Sequence, residues 1–256
     1  MQVRKIIFQK ETTVLNRRFF LVRGCFKKCA PAKKGDEKRC QSLAFCSKIW
    51  YTVGMNIYAI SDLHLSLTAD KPMDIFGGNW EGHFEKIKSD WLATVKDEDV
   101  VLISGDISWA MKMEDALVDL NALKGLPGKK VFIRGNHDYW WNGITKLRDA
   151  APDDTFYFLQ TDAVKIGDFV IVGSRGWTCP GSADYTEQDQ KLYLREAERF
   201  RLAFKDADKL AEEGDKKIAM IHYPPFNVKK EDTLFTKLFE ENQVEKVVFG
   251  TFSVLL

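Results

Sequence analysis

The sequence predicts an α/β protein, on three observations. Short β-branched and aromatic runs alternate with longer stretches whose apolar residues recur at helical spacing. Several of those runs end in Asp, Asn or His, at the strand ends where open α/β sheets carry their ligands. The chain has 256 residues, 45% hydrophobic and 29% charged, a globular composition long enough for one large domain or two small ones. No run of about 18 apolar residues occurs, so no membrane span is expected. The start lacks the basic, apolar and small-residue order of a signal peptide. A soluble, cytoplasmic protein is therefore expected. Its five cysteines would stay reduced and form no disulfide framework.

Charge divides the chain in two. Residues 1–54 carry 13 Lys and Arg against 3 Asp and Glu, a net of +10. The remainder carries 25 against 34, a net of −9. The first segment has no sustained period of 2 or 3.6 and holds Cys25, Cys29, Cys40 and Cys46. Four thiolates can close a zinc site, but this spacing is looser than the usual ones. A basic arm would attract nucleic acid or another anionic surface, and nucleic acid is expected through no other part of the chain. The preferred expectation is a third one. Met55 opens Met-Asn-Ile-Tyr-Ala-Ile-Ser-Asp, which has the look of a natural start. Residues 1–54 would then be an extension outside the fold, translated from a wrongly chosen start, and the domain would span 55–256.

From Met55 the elements follow in order. Asn56–Ile60 is a short apolar strand running into Ser61-Asp62-Leu63-His64. Asp62 and His64 are two apart, so an extended backbone would send both side chains the same way. Phe84–Val95 has helical spacing at Phe84, Ile87, Trp91 and Val95. Val100–Ser104 is a continuous apolar run, as expected of a strand buried on both faces, and ends in Gly105-Asp106. Ala110–Leu123 is helical until Gly125–Gly128 breaks it. Lys130–Arg134 is the next strand. It delivers Gly135-Asn136-His137-Asp138, where Gly135 would permit a sharp turn. An isolated Asn-His pair is usually only a polar turn. Tyr139, Trp140 and Trp141 follow, expected to pack rather than wall a pocket.

Phe156–Leu159, Val164–Ile166 and Phe169–Val172 are strand-like, with a hairpin turn at Gly167-Asp168. In the loop after them, Arg175 has the planar fork that holds a phosphate oxygen, although a plain surface role is the commoner one. Thr186–Ala211 is a long helix with a core stripe at Tyr193, Ala197, Phe200, Phe204 and Ala207. Lys217–Ile221 ends in His222, and Val247–Phe249 ends at Gly250. One strand ending in a ligand-type residue is cheap. Asp62 with His64, Asp106, Asn136 with His137, and His222 form a series. Mixed oxygen and nitrogen ligands suit divalent first-row metals. A shared carboxylate can bridge two of them at about 3.5–4 Å.

At these residues the chain resembles the calcineurin-like metallophosphoesterase family. That family shows D-x-H, G-D, G-N-H-D/E, a lone His and then G-H-x-H. The chain shows Asp62–His64, Gly105-Asp106, Gly135–Asp138 and His222 in the same order. The resemblance covers about Met55 to Gly250 and implies a four-layer α/β/β/α sandwich. It implies two divalent metal ions (manganese, iron or zinc). Asp62 and His64 would hold the first ion, Asp106 would bridge, and Asn136 and His222 would hold the second. His137 would protonate the leaving oxygen or steady its charge, and Asp138 would orient that imidazole. The implied activity is hydrolysis of a phosphomonoester or phosphodiester by a metal-bound hydroxide.

One motif departs from the pattern. After Gly250 stand Thr251-Phe252-Ser253, not His-x-His. The remaining histidine, His83, precedes a helix and is expected at the surface. Loss of one base from codons for Gly-His-Leu can yield Gly-Thr-Phe. A frameshifted tail and a C-terminally incomplete sandwich are the expectation. The alternative function is therefore an inactive or weakened family member, acting as a binding module or without function.

Overall fold

The protein is described by a computed structural model covering residues 19–21, 50–51, 55–69, 71, 73, 80–182, 184–227 and 229–250. Two short strands precede Met55: β1 (Phe19–Leu21) and β2 (Trp50–Tyr51). The chain then alternates β3 (Asn56–Ile60), α1 (His83–Thr94), β4 (Val100–Ile103), α2 (Met113–Ala122), β5 (Lys129–Ile133), α3 (Ile144–Asp149) and β6 (Phe156–Leu159). A hairpin of β7 (Asp162–Ile166) and β8 (Phe169–Ser174) follows, then α4 (Glu187–Leu210), β9 (Lys216–Ile221), α5 (Leu234–Glu241) and β10 (Lys246–Phe249).

The strands form two five-stranded sheets, ordered β2-β3-β4-β5-β6 and β1-β10-β9-β8-β7. From β3 to β6, and again from β8 to β10, successive parallel strands are added in one direction. Crossovers of one hand, added in one direction, put every helix on the same face of a sheet. The opposite faces are left bare and apolar, so the two sheets bury them against each other.

Side chains alternate accordingly. Ile57, Ala59, Leu102, Val131 and Ile133 of the first sheet meet Phe169, Ile171, Ile218, Met220 and Val248 of the second. Tyr58, Ile60, Val101, Ile103 and Phe132 face outward and pack under α1, α2 and α3 with Ile87, Trp91, Leu120 and Leu147. Val170, Val172, Ala219 and Ile221 pack under α4 and α5 with Phe200, Phe204, Phe235 and Phe239. The architecture is thus the expected α/β/β/α sandwich, with three cores between four layers.

The long helix has the stripe its spacing predicts. Thr186 caps it, sharing reciprocal bonds with Asp189. The hairpin turn falls at Gly167, whose φ is 57°. Two helices were not anticipated. The six-residue α3 is too short to show a period. α5 begins with a Thr233–Thr236 capping box and buries Phe235, Leu238 and Phe239. α2 starts at Met113, three residues after Ala110, which is buried in the loop before it.

β1 pairs with β10 and β2 with β3, so backbone pairing reaches the segment before Met55 at two places. The rest of residues 1–54, with Cys25, Cys29, Cys40 and Cys46, lies outside the described residues, as do Thr251, Phe252 and Ser253. Among the described residues no helix is long and apolar enough to cross a membrane.

Candidate metal centre

Each expected site residue sits in the loop leaving a strand. Asp62 and His64 follow β3, Asp106 follows β4, Asn136, His137 and Asp138 follow β5, and His222 follows β9. The β3 and β4 loops run alongside each other. Asp62 N–H donates to Gly105 O at 3.1 Å and His64 N–H to Asp106 O at 3.0 Å. These bonds keep the two loops in register up to a bridge between Leu65 and Ser108.

The backbone at the site is strained. Asp62, His64 and Asp106 have φ of 59°, 46° and 53°, the left-handed region that side chains seldom adopt. The extended geometry expected for Asp62 and His64 is therefore corrected: tight left-handed turns, not strand alternation, bring the two side chains together. Such strain persists where surrounding contacts over-determine it, characteristically at functional sites. The chain bends just after Gly135, at Asn136 and His137, although Gly135 itself has no positive φ. Its role is close approach: a Cβ there would lie 2.1 Å from Asp106 Oδ1. Gly105 needs both properties, having a φ of 89° and a position where a Cβ would lie 2.6 Å from His222 Nδ1.

Five polar side chains converge. Ligand atoms of Asp62, His64 and Asp106, all buried, lie within 4.8 Å of one another. His64 Nε2 is 3.8 Å from Asp62 Oδ1 and 3.8 Å from Asp106 Oδ2. His222 Nε2 is 3.6 Å from the same Asp106 Oδ2. These gaps are too long for hydrogen bonds. They suit atoms that share a cation at about 2 Å from each. Asp106 Oδ2 thus lies between two imidazoles, while Asp106 Oδ1 accepts the His137 backbone N–H at 2.8 Å.

The second cluster shows the same need for positive charge. His222 Nδ1 is 2.7 Å from Ser104 O, which can only accept, so this nitrogen carries the proton. Nε2 then offers a lone pair, and it faces Asn136 Oδ1 at 2.7 Å. Two lone pairs facing each other at that distance repel, and a metal ion or a proton between them relieves this, as does turning the amide so that Nδ2 donates.

Electrostatics agree. Burial, then the rings of His137 and His222, lower the His64 pKa to about 3, so the imidazole is neutral and free to ligate. Burial, then the charge of Asp138, pushes Asp106 up to about 8. Among the described residues no lysine or arginine pairs with Asp106. The donor set fits a divalent cation: carboxylate, imidazole and amide oxygen, with a buried carboxylate that lacks an organic counter-ion.

His137 is half-buried, with its ring 4.5 Å from Trp109 and 5.8 Å from His64. Burial, then His222, lowers its pKa. Asp138 is fully buried and its bonds differ from expectation. Its Oδ1 accepts from the N–H groups of Ile107 (2.8 Å), Ser108 (3.2 Å) and the Trp140 indole (3.2 Å). Its Oδ2 accepts from Asp106 N–H (2.9 Å) and Gly135 N–H (2.7 Å). No hydrogen bond joins it to the His137 imidazole among the described residues. Its carboxylate ties the β4 loop to the β5 loop instead.

Other residues differ from expectation too. His83 is buried at the start of α1, with Nε2 3.1 Å from Leu63 O, and is not at the surface. Trp140 and Trp141 pack as expected, and Tyr139 is exposed. Arg175 is largely buried, its side chain 18% exposed, 4.0 Å from fully buried Glu196. Glu196 escaped the sequence reading, yet a signal was present. It stands three residues after Tyr193 and four before Phe200, an acid on the core-facing stripe.

Two sheets whose strand ends jointly present Asp62, His64, Asp106, Asn136 and His222 define an α/β sandwich with a candidate cation centre. The chain belongs to the calcineurin-like phosphoesterase family, whose profile matches residues 55–250. Among solved structures it is similar to a protein of unknown function from Aquifex aeolicus, AQ665, at 20% identity over 76% of this chain and 89% of that one, with a TM-score of 0.38. No curated relative matches the sequence. Family membership carries hydrolase chemistry, divalent metal and a phosphoester substrate, and Asp62, His64 and Asp106 are grouped as such a metal would need.

Proposed function

We propose that this chain is a metal-dependent phosphoesterase of the cytoplasm, with 55–256 as its catalytic domain and two divalent ions, manganese, iron or zinc, at the strand ends. Asp62, His64 and Asp106 would hold one ion, and Asp106, Asn136 and His222 the other. The observation that carries this is Asp106 Oδ2, placed 3.8 Å from His64 Nε2 and 3.6 Å from His222 Nε2, with the Asn136 and His222 lone pairs facing each other beside it. Such ions neutralise phosphate oxygens and make water acidic enough to attack near neutral pH.

The chain's own residues do the rest. Ser104 O fixes the His222 tautomer so that its lone pair faces inward. Asp138 holds the β4 and β5 loops at one spacing. His137, lowered in pKa, is neutral near pH 7 and donates its ring N–H to the leaving oxygen, steadying the charge that develops there. An anionic substrate raises that pKa, which also lets His137 pass a proton.

A second reading, a weakened or inactive binding module, draws on the Thr251-Phe252-Ser253 sequence where the family has His-x-His. One experiment separates the two. The purified chain is loaded with manganese, its metal content is measured, and hydrolysis of bis(p-nitrophenyl) phosphate is followed. Two ions per chain and turnover, both lost in Asp106→Asn, are expected. Metal content or turnover unaffected by that substitution defeats the proposal; metal bound without turnover favours the binding module.

A further inference from the structure

Beside the candidate centre, the ends of β5 and β8 and one face of α4 enclose a cavity of about 180 Å3, lined by Arg134, Gln160, Ser174, Arg175, Arg195 and Arg199. Two chain segments tie it to the centre. Arg134 stands two residues before Asn136. Arg175 O accepts the His222 backbone N–H at 3.0 Å.

Four arginines and one carboxylate meet at this cavity, and three of the four reach the carboxylate. Fully buried Glu196 Oε1 accepts from Arg199 Nη1 at 2.7 Å, and lies 4.0 Å from both Arg175 Nη2 and Arg195 Nε. Ser174 Oγ donates to its Oε2 at 3.1 Å. Neutralising Glu196 would take one arginine. Arg134 makes no ion pair among the described residues, so Glu196 does not account for it. Nor does the protein satisfy all the donors: Nε of Arg134 and Nε of Arg175 are buried without a hydrogen-bond partner among the described residues. The Arg175 guanidinium lies 4.6 Å over the Trp177 ring, which holds its planar fork in place. Surplus positive charge, unfilled buried donors and rigid forks are what recognises phosphate oxygens.

We propose that this arginine cavity binds a phosphate-type dianion. Resting on the phosphoesterase reading, its source is a second phosphate of the substrate, remote from the ester that is attacked. Free phosphate from solution is the other source with the same chemistry.

The test begins with binding, without turnover. The full chain is stripped of metal with a chelator and titrated calorimetrically with inorganic phosphate. Arg134→Gln and Arg195→Gln are titrated likewise, with thermal melts to show that each variant folds. One-to-one binding, weakened about tenfold or more in either variant, is expected. Asp106→Asn should bind phosphate like the unsubstituted chain. No binding, binding unchanged in both variants, or acetate bound as tightly as phosphate overturns the proposal.

A kinetic arm distinguishes the sources. On metal-loaded protein, kcat/KM is compared for alkanediol bisphosphates and alkyl monophosphates of equal length. A preference for the bisphosphate that shrinks in Arg195→Gln assigns the cavity to the substrate. Equal kcat/KM with phosphate binding intact assigns it to free phosphate. Absence of all hydrolysis defeats the phosphoesterase reading, while the titration still decides the cavity.

Discussion

Replacing Asp138 by Asn puts an amide NH2 where every neighbour is already a donor. The carboxylate accepts five N–H groups, three on Oδ1 and two on Oδ2, and has no exposure to water. Whichever oxygen becomes nitrogen, two or three buried N–H groups lose their acceptor. Each such loss costs about 1–3 kcal/mol, so the substitution should cost roughly 3–6 kcal/mol. For a domain of this size that lowers Tm by about 10 °C or more. The assay is thermal unfolding of metal-free protein, followed by circular dichroism, so that metal binding does not contribute. His137→Asn, at a half-buried ring, is the control and should shift Tm far less. A Tm within about 2 °C of the unsubstituted chain would refute the anchoring role, and would return Asp138 to the expected task of orienting His137.

His137→Asn should also cut turnover about 10²–10⁴-fold while leaving metal content unchanged; loss of metal instead would mean that His137 is a ligand. Gly105→Ala should destabilise by roughly 2–4 kcal/mol in urea unfolding, because the new Cβ would lie 2.6 Å from His222 Nδ1 and 2.7 Å from Gly135 Cα at a φ of 89°. Metal-free stability should fall as pH rises from 6.5 to about 8. There, folded Asp106 (about 8, against 3.8 unfolded) still binds a proton that the unfolded chain has released, worth up to about 1.4 kcal/mol per pH unit. Below pH 6.5 the buried His64 (about 3, against 6.5 unfolded) acts in the opposite sense, because the unfolded chain then binds the extra proton. The two therefore offset each other between 3.8 and 6.5. Calorimetric Tm against pH checks this, and a rising or flat Tm across the upper window in metal-free buffer would contradict it.

Much of the architecture was legible because strands and helices write their periods locally. Val100–Ile103 is apolar at every position since both faces are covered, and the α4 stripe repeats every three or four residues since one face is. The candidate ligands were legible as a series: one Asp, Asn or His that ends an apolar run is usually a polar turn, but Asp62, His64, Asp106, Asn136 and His222 recur at successive strand ends. Together these settle the α/β class and the family.

Only the tertiary structure decided how those ends meet. Left-handed turns at Asp62, His64 and Asp106 are held by bonds between loops about 40 residues apart, and no local pattern encodes them. Asp138 stands beside His137 in sequence but binds the β4 loop in space, because a buried carboxylate follows the nearest N–H donors and not its chain neighbour. The arginine cavity lies further still from sequence. Arg134 follows β5, Arg175 follows β8 and Arg199 stands on α4, and they line one cavity only after those elements have packed together. Periodicity is a property of one segment, whereas charge compensation is a property of all the segments that bury the charge.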